Sequence, residues 1–292
     1  MPILHATHPT PDDKWKVAEL WQDVFQVSNE YIDLFFNRIY KPENTFVIKR
    51  DPFIISALHV IPFEIKYYKK TVPGAYIYGA GTHPFERGQG HMRTLLKDTL
   101  IELKKRGYYV AFLIPAEPSL IDYYQSFGFI RRIWCSYETH DYSLLLKKQL
   151  ESKQAYTFEP CTIKHFPYFD RKQHKPRYNI IHQAFDYETI IQELELDGGG
   201  AFAALENGQT VGMAFVKKTA KDAVFIKSIL SDNDQIRNAL YRHAFKLFNV
   251  YHIKIQISEY PYEDFPTTFG LVRVLVKQIL RVHFPNISLM LD

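Results

Sequence analysis

The sequence predicts a mixed α/β (α+β) chain of two tandem modules, each a mixed, mostly antiparallel sheet flanked by helices. Three observations predict it. Period-two apolar runs alternate with stretches of helical spacing. The order of those segments in the first half returns in the second. At 292 residues the chain has the length of two ordinary domains, and it is long enough to bury about three-quarters of its unfolded surface without disulfide staples. A charge-rich break at 147–154 separates residues 1–146 from residues 155–292.

Taken in order, residues 14–25 and 29–39 read as helices, with Leu20, Trp21, Phe25, Leu34 and Phe35 as core candidates. Thr45 to Lys49 and Ile54 to Ile65 read as neighbouring strands turning at Arg50-Asp51-Pro52. Lys66, Lys69 and Lys70 with Tyr67 and Tyr68 suit a solvated hairpin face better than a nucleic-acid platform. Ala75 to Thr82 is a small, aromatic or β-branched strand that Pro84 ends. From Gly90, the positions Met92, Leu95, Leu96, Thr99, Leu100 and Leu103 repeat at helical spacing until Lys104, Lys105, Arg106 and Gly107 supply a charged end and a stop. Tyr108 to Ile114 is a continuous apolar run suited to a buried parallel strand. In the second half, Ala201 to Leu205, the Asn207-Gly208 hairpin signal, Thr210 to Val216, Asp222 to Leu230, a helix over 233–248 and a strand from Val250 recapitulate strand, strand, strand, helix, strand.

The loop between the 75–82 strand and the helix carries the chemistry. Gly88 and Gly90 allow positive φ, and without a Cβ they open the backbone to a ligand. The amides of Gly88, Gln89, Gly90, His91 and Met92 then point at an anion from the positive end of the helix dipole. A glycine pair before a helix is by itself as compatible with a plain turn. Arg93 stands where the dinucleotide fingerprint needs its third glycine, and no Gly-Lys-Ser or Gly-Lys-Thr follows, so neither that fingerprint nor the nucleotide P-loop fits. Ser231-Asp232-Asn233-Asp234 occupies the equivalent place in the second half, where carboxylates cap the helix and repel phosphate. Gly198-Gly199-Gly200 precedes a strand and reads as a flexible loop.

With Arg87, Gly90 and Met92 at its three places, the loop resembles the acyl-CoA loop of the GNAT acetyltransferases, Arg/Gln-x-x-Gly-x-Gly/Ala. Met92 is the departure, and it reads as altered packing because its amide remains available. Residues 115–129 resemble the family's second signature, a short helix with a tyrosine four residues before Gly-Phe, here Tyr124 before Gly128-Phe129. The resemblance is specific over about 15–135, and two modules in one chain is similar, more loosely, to the Eis-like (enhanced intracellular survival) enzymes. It implies that acetyl-CoA lies along Ala80, Gly81 and Thr82, its pyrophosphate on Arg87, Gly88, Gln89, Gly90, His91 and Met92. It further implies that a primary amine attacks the thioester directly and that Tyr124 is the leaving group's general acid. Against that role stands a plain aromatic packed with Leu120 and Phe127.

The base is open between Glu117, which also suits the start of a helix, and Asp292, since Eis-like enzymes use the chain terminus near the site. His83 is a turn residue or a phosphate contact. The acceptor class is a small amine, a polyamine or aminoglycoside-like cation, or an exposed lysine. A non-catalytic acyl-CoA-binding regulatory module is the competing reading. The net charge of +4 is mild and scattered, which argues against a nucleic-acid partner. Cys135 and Cys161 lack metal or redox spacing, no His-Glu-x-x-His occurs, and no metal is expected. The absence of an export signal and of an 18-residue apolar run points to a cytoplasmic protein with no membrane span. A homo-oligomer stays open.

Overall fold

The computed structural model describes residues 4–142, 156–176, 178–257 and 267–276. Its helices are α1 (Lys14–Phe25), α2 (Asn29–Arg38), α3 (His91–Lys105), α4 (Ile121–Gln125), α5 (Phe166–Gln173), α6 (Ala184–Leu196) and α7 (Asp234–Phe248). Its strands are β1 (Thr45–Arg50), β2 (Phe53–Tyr67), β3 (Lys70–Thr82), β4 (Val110–Leu113), β5 (Arg131–Asp141), β6 (Thr157–Pro160), β7 (Tyr178–Ile181), β8 (Gly200–Glu206), β9 (Gln209–Ala220), β10 (Ala223–Ser231), β11 (His252–Ile257) and β12 (Thr267–Val274). None of the described helices is long and apolar enough to cross a membrane.

Contacts divide the chain into two units, one running to Ile133 and resuming at Thr268, the other running from Trp134 to Thr267. In the first, β1, β2 and β3 pair antiparallel in sequence order, β4 joins β3 in parallel, and β12 pairs antiparallel with β4. In the second, β6, β8, β9 and β10 pair antiparallel, β11 joins β10 in parallel, and β5 pairs antiparallel with β11. Each parallel pair is bridged by a helix, α3 or α7, so the repeat read from the sequence is a repeat of topology. The units also trade a strand: β5 completes the second sheet and β12 the first. The break expected at 147–154 lies outside the described residues.

Local chemistry sets the elements of the first unit. Thr10 amide and hydroxyl both donate to Asp13 Oδ2, at 2.8 and 2.7 Å, fixing the entry to α1. Val17, Leu20 and Trp21 then bury one face of it. Ser28 caps α2 by accepting from the Tyr31 amide at 3.2 Å, and Phe35 and Phe36 turn inward. On α3 the sequence-read stripe Leu95, Leu96, Thr99, Leu100 and Leu103 is buried, and Gly107, at φ 82°, ends the helix.

Candidate active site

The site is built where β3 and β4 part. Their parallel ladder runs only from Gly74 and Val110 to Tyr76 and Phe112, so among the described residues the last part of β3 is bonded to β2 alone. Ala57 of β2 faces Gly81 while His59 faces Tyr78, so Gly79 and Ala80 together oppose the single residue Leu58. This is a bulge on β3, and Gly79 meets its geometry with φ 56°. A bulge beside a ladder's end re-aims backbone amides into the gap.

The open edge leads to the glycine loop. Gly88 and Gly90 have φ 78° and 81°, and a Cβ at either would meet nothing within 4 Å. Gly90 is the N-cap of α3 and provides no side-chain cap, which leaves the first-turn amides directed into that open space. Arg87 is exposed and donates Nε to the Thr82 carbonyl at 3.3 Å. Gln89 is exposed, His91 is buried, and Met92 packs against the core. Thr82 shares a hydroxyl contact of 2.9 Å with Ser56, whose hydroxyl also donates to the Gly81 carbonyl at 3.0 Å.

Tyr124 closes the other wall. It is only 8% exposed, in one core cluster with Leu95, Phe127 and Phe129, against which Ala80 and Met92 also pack. Strand edge, helix start and tyrosine therefore meet. Its hydroxyl makes no hydrogen bond with any described residue. Burial, with a smaller contribution from Tyr123, pushes its pKa up to about 12. Arg273 of β12 donates to the Phe127 carbonyl, beside Gly128, and so braces the turn after α4 from a strand far away in sequence.

The remaining candidates are placed less centrally. Glu117 is exposed at the head of the turn Pro118–Leu120 and accepts from Ser119 at 3.1 Å. His83 stands 3.6 Å from Asp23. Asp292 lies outside the described residues. Glu86 escaped the sequence reading. It takes the guanidinium of Arg50 and the amide of Gln89, at 3.1 Å, and faces His91 Nε2 at 3.4 Å without hydrogen-bond geometry. A carboxylate four residues before Gly90 of the candidate loop was the available signal.

Residues 6–131 match the sequence profile of the acetyltransferase (GNAT) domain. No curated protein matches the chain by sequence. Among solved structures, it is similar to a probable N-acyltransferase from Enterococcus faecalis at 12% identity and TM-score 0.73, covering 94% of this chain and 73% of that one. A GCN5-related N-acetyltransferase from Anabaena variabilis gives 15% identity and TM-score 0.71, with 94% and 73% covered. Eis1 from Mycobacterium abscessus gives 10% and 0.64, with 94% and 74% covered. At these identities the structural likeness is one of fold. The chain is thus GNAT-like in fold, and over residues 6–131 it is similar in sequence to the GNAT acetyltransferase domain.

Proposed function

We propose that the chain is an acetyl-CoA-dependent N-acetyltransferase of the Eis-like kind, with its catalytic module in residues 1–146 and a degenerate copy in residues 155–292. One observation carries the reading: a bulged strand edge, unpaired among the described residues, runs directly into a helix N-terminus without a side-chain cap, whose two positive-φ glycines leave room for an anion. The substrate's pantetheine amides pair with Ala80 to Thr82, and its pyrophosphate takes the amides of residues 88–92 and the Arg87 guanidinium.

The amine nitrogen attacks the thioester carbonyl, the oxyanion draws on a bulge amide near Gly79, and the carbon–sulfur bond then breaks. Tyr124 serves the departing sulfur. With its pKa at about 12, far above the roughly 8.5 of a thiol, the phenol donates a hydrogen bond in the transition state more readily than it surrenders its proton. The nitrogen's proton leaves to a base, for which Glu117 and the terminal Asp292 are the carboxylates proposed. The acceptor class is a primary amine, on a small molecule or a lysine.

Calorimetry with acetyl-CoA tests the reading. Gly90→Asp sets a side chain and a negative charge in the phosphate space and is expected to abolish measurable binding while the protein stays folded. Equal affinity in both proteins removes the proposed site. Thiol release across an amine panel then identifies the acceptor.

A further inference from the structure

Packed side chains stand on three sides of the proposed thioester: α1, the end of the β3–β4 ladder, and the Tyr124 cluster. This placement rests on the proposed function, which sets the thioester at the bulge. Facing α1, a Cβ on Gly79 would run into Trp21 Cζ2 and would stand 3.0 Å from Trp21 Cε2 and 3.1 Å from His59 Cδ2. One step along the strand, a Cβ on Gly81 would stand 2.9 Å from Val24 Cγ1 and 3.1 Å from Phe25 Cζ. The two glycines are therefore where α1 rests directly on the strand.

Trp21 has no room to yield. It is 2% exposed, stacked on Phe35 at 4.2 Å, and met edge-on by His59 at 5.2 Å and Phe36 at 5.4 Å. The inner end of the cleft is stopped by Tyr76 and Phe112, which are fully buried and stacked at 5.1 Å and 16° where the ladder closes. The far wall is the Tyr124 cluster. A fatty chain needs an apolar channel, and close-packed interiors give way to extra methylenes only at a cost.

We propose that this site takes short acyl groups of two or three carbons and that Trp21, seated on Gly79, sets that limit. Trp21 is a specificity-determining residue, and the chemistry at the thioester does not depend on its indole.

The test uses the full-length protein and needs no acceptor. Calorimetry is run with CoA, acetyl-CoA, butyryl-CoA and octanoyl-CoA. The wild type is expected to bind octanoyl-CoA about 10- to 100-fold more weakly than acetyl-CoA. Trp21→Leu, checked for folding by its thermal transition, is expected to narrow that ratio to within about threefold. The wild-type series stands even if the variant fails to fold. Octanoyl-CoA binding the wild type as tightly as acetyl-CoA overturns the length limit. An unchanged ratio in folded Trp21→Leu overturns the role of Trp21. Both results leave the proposed acetyltransferase function intact, whereas failure of CoA and every acyl-CoA to bind removes that function and this inference with it.

Discussion

At the scale of residues, Glu86 and Tyr124 make opposite demands on charge. A carboxylate beside a phosphate site weakens binding if only its charge counts. Glu86, however, is neutralised by Arg50 and holds Gln89, so its removal frees the loop whose amides are proposed to hold the phosphate. We expect Glu86→Ala to weaken acetyl-CoA binding by about three- to tenfold, the scale of one charge-assisted bond; tighter binding in calorimetry would show that repulsion dominates. For Tyr124, burial raises the pKa, so the phenol stays protonated through neutral and mildly alkaline pH. It should contribute no alkaline limb to the rate profile below about pH 10. Tyr124→Phe keeps the ring in its core cluster and removes a hydroxyl that has no partner among the described residues. Turnover should fall on the order of 10²-fold with acetyl-CoA affinity nearly unchanged. A variant that loses thermal stability yet turns over at the wild-type rate would make the hydroxyl structural.

Elements that share a topology need not share a function, and α3 and α7 show why. Both follow a bulged strand and lead into a parallel partner. In α3 the N-cap is Gly90, with no side chain to satisfy the first turn. In α7 the N-cap is Asn233, whose Oδ1 accepts from the Ile236 amide at 2.9 Å. The loop before it is filled as well: Lys172 of α5 donates to the Ser231 carbonyl at 2.5 Å and pairs with Asp232 at 2.7 Å. Where β3 has Gly79 in its bulge, β10 has Lys227, a long side chain that is 2% exposed. The second unit is thus proposed to bind no CoA. Asn233→Ala should cost about 1 kcal/mol of stability and leave acetyl-CoA binding untouched. Titration should give one site per chain, and a second CoA at the start of α7 in a soaked crystal would refute this.

Across the whole molecule, each unit hides a neutral histidine. Burial lowers the pKa of His59 to about 3. Burial and then the charge of Lys227 lower that of His182 to about 4. His59 Nδ1 is 2.9 Å from the Thr45 hydroxyl, which itself donates to the Lys41 carbonyl, so Nδ1 is the donor; burial keeps the imidazole neutral, its Nε2 having no hydrogen-bond partner among the described residues. Between those values and the ordinary 6.5, the unfolded chain binds protons that the folded chain refuses. Stability is therefore complete above pH 6.5 and declines as pH falls toward 4 and 3, by up to about 1.4 kcal/mol per pH unit for each histidine. Asp13 adds a loss below its ordinary 3.8, because bonds from Lys49 and Thr10 outweigh its desolvation and hold its carboxylate charged. Urea unfolding from pH 7.5 to 4.5 should show this decline in both units, with a shallower slope in His59→Leu; a flat profile would contradict the burial argument.

What the sequence determined by itself is everything carried by short-range signals. Helical spacing gave α1, α3 and α7 nearly to the residue, because one buried face repeats every three or four positions. Asn207-Gly208 marked a hairpin because both residues sit at positive φ, 51° and 77°. Gly88 and Gly90 marked the loop for the same reason, and the distance to Gly128-Phe129 marked Tyr124 as a candidate whose role stays a proposal. The strands β5, β6, β7 and β12, and the helices α5 and α6, were not singled out. Tertiary structure alone decided strand partners, since an alternating pattern states which face is buried and never which strand lies alongside. That is why the exchange of β5 and β12, the bulge at Gly79, the ladder's end at Tyr76 and the reach of Arg273 to Phe127 lay beyond the sequence. Trp21 was read correctly as core, but its seat on Gly79 comes from a contact across 58 positions of sequence, and only packing sets a core residue against the proposed site.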